Sequence, residues 1–281
     1  MSSRPHPKHC PLCGDVPILF CLESMDTSVL QCSQCGLVFF HPVPTERDLL
    51  ALYRDYDPGE DEEDFLAHLA WRRQWRLPVF REALDEVLRY KQGGGRLLEI
   101  GCSFGFFLRM ARERGLEPYG VDLSLNAVRY AEQNLRLSVR RGTVFDAKFP
   151  EGFFDITAML GVLEHLHNPL ETLREVSRIL RTEGLLIVEV PNAHFNLLRG
   201  RLSPSLFYVG NHLFNFTPKA LSRMLETAGF RCVKIWCGKA DHPRGWFFNG
   251  LKSSCVLAAR LVHRAFGCCL GPSLVAIAVK A

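Results

Sequence analysis

The stretch LLEIGCSFGFF, residues Leu97–Phe107, decides the fold class of this chain. Its apolar first half predicts a strand that carries Glu99 near its end. Gly101 and Gly105 then allow the backbone to turn tightly and to approach a ligand closely before a helix begins at Phe106. The stretch therefore predicts a strand, a glycine turn and a helix, the opening of a parallel α/β unit.

A second strand, Pro118–Val121, is expected after the helix and ends in Asp122. A carboxylate at this strand end, 21 positions after Gly101, is placed to accept hydrogen bonds from both hydroxyls of a ribose. A dinucleotide site would normally show the spacing G-x-G-x-x-G, whereas this loop has three residues between Gly101 and Gly105. Because glycine turns occur in many parallel α/β proteins, other motifs are needed to decide whether this loop belongs to a dinucleotide site or to another kind of ligand site.

The segment FFDITAMLGVLEHLHNPLETLREVSRILRTEGLLIVEVPN, residues 153–192, predicts a strand, a loop, a helix and another strand. Asn168 is expected as the N-cap, Pro169 as the first helical residue and Glu171 as the partner in a capping box. Gly184 is expected to follow the end of the helix.

These two motifs resemble the class I S-adenosylmethionine (SAM)-dependent methyltransferases. Their first motif is E-x-G-x-G-x-G, and many members carry the phrase VLEHL-x-(N/D)-P after the fourth strand. Ser103 departs from the pattern because it replaces the middle glycine. The resemblance covers roughly residues 94–281 and implies an α/β fold with a Rossmann-like, seven-stranded sheet whose last strand is antiparallel.

The resemblance also implies SAM as the cofactor and assigns residues to it. Glu99 would orient the methionine ammonium group, and Asp122 would hold the ribose. The other assigned residues are Gly101, Cys102 and Gly105 for backbone contacts, Leu123 beside the adenine, Gly142, Thr143 and Val144 after the third strand, and Leu160 near the methionine end.

Methyl transfer to an alcohol or phenol requires a base with a pKa near neutral, and His165, His167 and His212 qualify. We expect His212 to take the proton, with His165 as the alternative. Glu164 and His165 resemble a metal-binding Glu-His pair of quinone-biosynthesis O-methyltransferases. Because Gly161 stands where that family has a further glutamate, a catalytic metal is not expected.

Two C-x-x-C pairs, Cys10 with Cys13 and Cys32 with Cys35, are separated by eighteen residues. Four thiolates with this spacing can surround Zn²⁺ tetrahedrally at about 2.3 Å. Residues 1–45 contain too few apolar side chains for an independent core, so a structural zinc would supply folding energy. The alternative is that these cysteines are incidental thiols or a redox pair.

The predicted ribbon is not expected to hold nucleic acid. No Lys or Arg lies between Cys10 and Cys35, and the segment Gly36–Pro44 is apolar, which favours docking onto the catalytic domain or a partner. A ribosomal RNA methyltransferase is the first alternative, because one such family carries an N-terminal zinc module. The second alternative is a non-catalytic scaffold, which the intact Glu99 and Asp122 argue against.

We predict three regions: a zinc ribbon over residues 1–45, a helical lid or linker over 46–92 and a SAM-binding catalytic domain over 93–281. An apolar stripe with helical spacing in the second region is expected to pack against the sheet; it comprises Val79, Phe80, Ala83, Leu84, Val87 and Leu88. Aromatic residues upstream are candidates for a lid; they are Tyr53, Tyr56, Phe65, Trp71 and Trp75.

Composition excludes collagen-like, disordered and disulfide-scaffold classes, since 47% of the 281 residues are hydrophobic. The net charge of +4 is too small over this length to imply nucleic acid by itself. The N-terminus lacks the apolar core of a signal peptide and no membrane span is predicted, so we expect a cytoplasmic protein. Eleven cysteines in a reducing compartment favour thiols and metal ligands. We expect a small-molecule acceptor, methylated at oxygen.

Overall fold

The computed structural model of the protein describes residues 9–24, 27–42, 62–202, 212–238 and 271–281. Three sheets, of two, four and seven strands, and the helices around the largest one form a mixed α/β fold. The N-terminal part contains five short strands: β1 (His9–Cys10), β2 (Gly14–Asp15), β3 (Ile18–Ser24), β4 (Thr27–Cys32) and β5 (Val38–His41).

A long helix, α1 (Glu62–Tyr90), leads from this N-terminal part to the large sheet. The remaining strands are β6 (Arg96–Ile100), β7 (Glu117–Asp122), β8 (Ser138–Arg141), β9 (Phe154–Leu160), β10 (Leu180–Pro191), β11 (Phe214–Asn215), β12 (Phe230–Cys237) and β13 (Ser273–Lys280). The helices between them are α2 (Phe106–Glu113), α3 (Leu125–Gln133), α4 (Pro169–Ile179), α5 (Ala193–Leu202) and α6 (Pro218–Thr227), with a 3₁₀ turn at Leu163–His165.

The large sheet has seven strands in the spatial order β12, β13, β10, β9, β6, β7, β8. The pairs from β10 to β8 are parallel, and β13 runs antiparallel to both of its neighbours. This is the seven-stranded sheet with an antiparallel last strand that the sequence predicts, so the fold prediction is confirmed.

Alternating residues of the central strands bury opposite faces of this sheet. Leu98 belongs to a core cluster with α4 and α6, whereas its neighbour Leu97 belongs to a second cluster with α1 and α2. A strand that is apolar on both faces needs a helical layer on each side. The sheet is therefore enclosed by two layers of helices.

The predicted stripe of α1 packs as expected: Ala83, Leu84 and Val87 are buried in the second cluster, with Phe80 and Leu88 packed against it, and Val79 is also buried. The proposed lid lies outside the described part of the molecule: Tyr53 and Tyr56 are in an undescribed segment, as are the side chains of Phe65, Trp71 and Trp75. Among the helices that the structure describes, none is long and apolar enough to cross a membrane.

Helix α4 begins at Pro169 as predicted, but its capping differs. The side chain of Asn168 accepts no hydrogen bond from the backbone N–H groups of the helix; instead its Nδ2 donates to Oε2 of Glu171 at 3.2 Å. The predicted end near Gly184 is wrong, because α4 ends at Ile179 and Leu180 pairs with Phe154 as the start of β10. Pairing with the neighbouring strand thus shortens the helix.

A strand from the far end of the sequence completes the N-terminal sheet. That sheet has the order β11, β5, β4, β3, and all its pairs are antiparallel. Phe214 of β11 lies opposite Phe39, and Asn215 lies opposite Val38. The four-stranded sheet, which carries Cys32 on β4, is therefore joined by backbone hydrogen bonds to the chain that surrounds the large sheet.

Candidate functional site

The turn between β6 and α2 has three residues in the left-handed region. Gly101 has φ of 72°, Ser103 of 46° and Gly105 of 75°. A Cβ on Gly101 would lie 2.4 Å from Cγ2 of Val162, so no larger residue fits without a shift. Ser103 adopts the backbone conformation that favours glycine, which explains why the related motif has glycine there.

Asp122 fixes this turn from the end of β7. Its Oδ2 accepts the N–H of Ser103 at 2.7 Å, and its Oδ1 accepts the N–H of Ser124 at 2.9 Å. The first of these bonds helps to hold Ser103 in its left-handed conformation. An ionised carboxylate accepts hydrogen bonds through both of its oxygens.

A small cleft lies beside the turn. It brings together four residues that the sequence predicts for the site: Glu99, Gly101, Cys102 and Leu160. The other lining residues are Arg76, Phe80, Ser103, Phe104 and Phe106. The walls combine aromatic rings with buried charges, a composition typical of sites for small ligands.

Cys102 contributes to the turn through its backbone. Its N–H donates to the carbonyl of Val121 at 3.1 Å, its carbonyl accepts the N–H of Gly105 at 2.9 Å, and Gly101 donates to the same Val121 carbonyl at 2.8 Å. The side chain is buried, and burial raises the pKa of the thiol, with the charge of Asp122 adding to the rise. The thiol therefore packs as a neutral group.

The remaining predicted contacts lie at the ends of β7 and β8. The carbonyl of Leu123 accepts Nε of Arg141 at 3.3 Å, and the N–H of Gly142 donates to the carbonyl of Asp122 at 2.8 Å. Thr143 is exposed, and its hydroxyl donates to Asp146 at 2.7 Å. The next residue is Val144, which is buried in the core.

Sequence reasoning missed Arg76, which lines the cleft from α1. Its Nη2 donates to the carbonyl of Leu160 at 3.0 Å and to Oε2 of Glu189 at 2.7 Å. Burial lowers the pKa of Arg76, but the charges of Glu189, Glu164 and Glu99 outweigh it and raise the pKa overall. A partly buried cation thus lies close to several carboxylates beside the cleft.

Glu164 brings the two predicted histidines together. Its Oε1 lies 3.8 Å from Nε2 of His165 and 3.9 Å from Nε2 of His212, and the two rings are 4.6 Å apart between centroids. Burial raises the pKa of Glu164 to about 8, and the charge of Glu189 adds to the rise. His167 is exposed.

His212 is held as a neutral imidazole. Burial, with a contribution from His165, lowers the pKa of His212 to about 3. Its Nδ1 and Oε2 of Glu164 are buried and make no hydrogen bond within the described part of the chain. This pKa differs from the near-neutral value expected of a base from the sequence; burial instead keeps His212 in the unprotonated form, which can accept a proton.

The side chains of Glu164, His165 and His212 could also hold a metal ion, because their ligand atoms all lie within 4.8 Å of one another. At Gly161, where the sequence lacks a further carboxylate, a Cβ would lie 3.4 Å from Nη2 of Arg76 and 3.7 Å from Oε1 of Glu164. The arginine therefore supplies a positive charge next to this position.

The four cysteines of the two C-x-x-C pairs converge. The sulfur atoms of Cys10, Cys13, Cys32 and Cys35 lie within 4.8 Å of one another, and those of Cys10 and Cys35 are 3.8 Å apart. Tetrahedral zinc with bonds of about 2.3 Å would separate its sulfur ligands by about 3.8 Å. The arrangement fits a zinc ion.

Backbone amides support these sulfur atoms. The N–H groups of Leu12 and Leu37 donate to Cys10 and Cys35 at 3.4 and 3.5 Å, and Cys35 donates to Cys32 at 3.4 Å. Burial raises the pKa of Cys13 to about 11, with its cysteine neighbours adding to the rise. Thiols packed this closely need a cation if they are to ionise together.

Comparison with known proteins places this site in a family. A family model described as a methyltransferase domain matches residues 70–235, which include the glycine turn, Arg76 and both candidate histidines. A Mycolicibacterium smegmatis protein, named a probable SAM-dependent methyltransferase, is 26% identical over 174 residues; the alignment spans 62% of each chain.

Two further relatives differ in what they modify. A tRNA U34 carboxymethyltransferase of Idiomarina loihiensis is 27% identical over 178 residues, which span 59% of this chain and 53% of that protein. A ubiquinone biosynthesis O-methyltransferase of Aeromonas salmonicida is 26% identical over 151 residues, or 48% and 63% of the two chains.

Solved structures agree on the fold. A chain from the complex between the Haloferax volcanii Trm112 methyltransferase activator and a methyltransferase gives a TM-score of 0.60 at 17% identity, covering 84% of this chain and 97% of that one. A SAM-dependent methyltransferase from Archaeoglobus fulgidus gives a TM-score of 0.53 at 22% identity, covering 76% of this chain and 99% of that one. The resemblance drawn from the motifs is confirmed, and the chain belongs to the methyltransferase domain family.

Proposed function

We propose that the protein transfers a methyl group from SAM to an oxygen atom of a small-molecule acceptor. One observation carries this proposal: Arg76, which lines the cleft, lies beside Gly161, and so does Glu164 of the cluster with His165 and His212. A cofactor in the cleft and an acceptor beside the histidines would be neighbours. Both parts lie within the matched residues 70–235.

The cleft offers a partner for each charged end of SAM. Glu99 would hold the ammonium group of the methionine part, and Arg76 would hold its carboxylate. Asp122, at the end of β7, would accept hydrogen bonds from the ribose hydroxyls. Gly101, Gly105 and Leu160 would shape the cavity, with the adenine towards Leu123, Thr143 and Val144.

SAM supplies a methyl group activated by its bond to a positively charged sulfur. The chain's own residues would hold the acceptor oxygen in line and exclude water. As the new carbon–oxygen bond forms and the carbon–sulfur bond breaks, the acceptor's hydroxyl proton passes to His212 or His165. Above its pKa of about 8, Glu164 is ionised, and its oxygen, which faces both imidazoles, would offset the positive charge that forms.

An oxygen acceptor is supported by the match to the ubiquinone biosynthesis O-methyltransferase. RNA is the second candidate acceptor, and the match to the tRNA U34 carboxymethyltransferase favours it. Against RNA, the stretch from Cys10 to Cys35 contains no Lys or Arg that could contact phosphates. We retain the small molecule as the main proposal.

The proposed organisation is a structural zinc ribbon over residues 1–45, a helical lid or linker over 46–92 and a catalytic domain over 93–281. A cytoplasmic location is supported by the cysteines whose side chains are described, since none of them forms a disulfide.

Calorimetry with SAM, followed by incubation of the protein and SAM with a metabolite extract, tests the proposal. We expect SAM to bind and one small molecule to gain the mass of a methylene group, which is the net change when methyl replaces hydrogen. Methylation of RNA in a matched incubation, with no small molecule altered, would favour the second candidate. Absence of SAM binding would refute both.

A further inference from the structure

The segment from His212 to Thr217 connects the candidate active site to the cysteine module. At its start, His212 faces Glu164, and the N–H of Leu213 donates to the carbonyl of Glu164 at 2.8 Å. The carbonyl of Leu213 accepts the N–H of Phe40, on β5, at 3.3 Å. One residue thus bonds to the active-site turn through its N–H and to the cysteine module through its carbonyl.

The middle of the segment is β11, which pairs with β5. Phe214 lies opposite Phe39 and Asn215 opposite Val38, and all four residues are buried. A two-residue strand has little stability of its own and depends on its partner strand. The path of the chain after His212 is therefore set by β5.

The end of the segment is held by the second cysteine turn. The hydroxyl of Thr217 donates to the carbonyl of Cys35 at 2.8 Å and accepts the N–H of Ala220 at 3.1 Å, so it also caps α6. Thr217 is buried, and so is Cys35. The carbonyl that Thr217 binds belongs to one of the four candidate zinc ligands.

Zinc on the cysteines would fix the conformation of this turn. Leu30, Leu37 and Phe39 are buried in one core cluster with Leu213, Phe214 and Phe216, and the same cluster contains three of the four cysteines: Cys10, Cys32 and Cys35. Loss of the metal would therefore loosen the surface against which the segment packs.

We propose that the cysteine module is a positioning element for the active site: through β5, Cys35 and Thr217 it sets the place of His212 beside Glu164 and His165. Thr217 and β5 act through His212 and touch no reacting group. The consequence for turnover rests on the proposed function of His212, whereas the consequence for the geometry of the segment does not.

Hydrogen exchange measured by mass spectrometry tests the geometry. Zinc is removed with a chelator and its loss verified by elemental analysis. We expect peptides covering residues 213–216 to exchange about tenfold faster or more, while peptides covering β6 and β7 stay unchanged. Unchanged exchange at 213–216, or an equal increase in all of these peptides, would overturn the proposal.

A pair of variants tests the same proposal with the cysteines intact. Thr217→Val keeps the shape of the side chain but loses its hydroxyl, and Thr217→Ser keeps the hydroxyl. We expect Thr217→Val to shift the NMR signals of the His212 ring and to lower kcat with the affinity for SAM unchanged, and Thr217→Ser to restore both. Wild-type His212 signals in Thr217→Val would overturn the proposal.

These measurements separate two failures. If exchange and the His212 signals respond as expected while His212→Ala retains full turnover, the positioning stands and the proposed role of His212 fails. If His212→Ala loses turnover while exchange and signals do not respond, the positioning fails and the catalytic role stands.

Discussion

Oε1 of Glu164 lies 3.9 Å from Nε2 of His212, and the backbone of Glu164 bonds to the residue that follows this histidine. The carboxyl group belongs to the turn after β9, and the imidazole belongs to the segment after α5. Burial acts on the two groups in opposite ways, raising the pKa of Glu164 to about 8 and lowering that of His212 to about 3. Both are therefore uncharged over much of the neutral range.

The first prediction concerns the stability of Glu164→Gln. The folded protein keeps the proton of Glu164 up to a pKa of about 8, whereas the unfolded chain releases it near 4.5, so this group makes the free energy of unfolding fall as pH rises between these values. The lowered pKa of His212 acts oppositely, but only between about 3 and 6.5.

Between pH 6.5 and 8, therefore, the Glu164 contribution is the one to measure. It amounts to at most about 1.4 kcal/mol per pH unit. In urea unfolding, we expect the free energy of unfolding of Glu164→Gln not to fall between pH 6.5 and 8. Glu171→Gln, on the exposed surface of α4, should show the same fall as wild type. Identical pH dependence of Glu164→Gln and wild type would contradict the raised pKa.

The second prediction concerns the ribose contact. Asp122→Ala should weaken SAM binding by about 1.5–3 kcal/mol, because two charge-assisted hydrogen bonds to the ribose are lost. The loss of the bond from Ser103 adds to the effect by freeing the glycine turn. Calorimetry would measure it, with Glu117→Ala at the opposite end of β7 as the control. Wild-type affinity in Asp122→Ala would refute the assignment.

The third prediction concerns Arg76. Arg76→Met should weaken SAM binding by about tenfold or more, since the cofactor's carboxylate loses its cation and Glu189 is left buried without its ion pair. The SAM affinity of Arg76→Lys should lie between those of wild type and Arg76→Met, because a single ammonium group replaces the planar guanidinium. Arg81→Met, exposed on the same helix, should bind SAM as wild type does. Equal SAM affinity in all of these variants would refute the assignment of Arg76 to the cofactor's carboxylate.

The fourth prediction concerns the base. His212→Ala should lower turnover by about 10²–10⁴ while leaving SAM affinity nearly unchanged, since a general base contributes this much. His165→Ala is the alternative, and His167→Ala, which is exposed, is the matched control. A large loss of turnover in His165→Ala but not in His212→Ala would identify His165, on the turn after β9, as the base. Full turnover in both variants would mean that the reaction needs no histidine.

The fifth prediction concerns the metal. Elemental analysis should find about one zinc ion per chain, as a closed four-thiolate site implies. Cys32→Ser should lose it and unfold at lower temperature, whereas Cys232→Ser, on β12 and away from the cluster, should retain it. Absence of zinc, with all four thiols titratable in the native protein, would refute the site.

Much of the large sheet follows from local patterns. Gly101, Gly105 and Asp122 mark a turn that only a parallel strand pair produces at this spacing, and the buried stripe of α1 follows from its period. The start of helix α4 also follows from a local signal, because proline fits the first helical position, which Pro169 occupies. Its end was mispredicted because the pairing of Leu180 with Phe154 outweighs the local helix signal.

The contacts that sequence could not indicate are those between distant segments. Strand β11 has two residues and shows no periodicity, so its pairing with β5 has no local signal. Arg76 is one of several arginines on a long helix, and only the folded structure brings it to Glu189. The two histidines were expected separately, and Glu164, which the structure places between them, had no assigned part in the proton transfer.

The position of β13 has a consequence for how the chain is made. It follows the other strands in sequence, yet it lies between β10 and β12 and is buried along most of its length. Until these residues leave the ribosome, both neighbours present open backbone edges that can pair with other chains. A chain truncated before Ser273 should therefore aggregate during synthesis and yield no shortened enzyme.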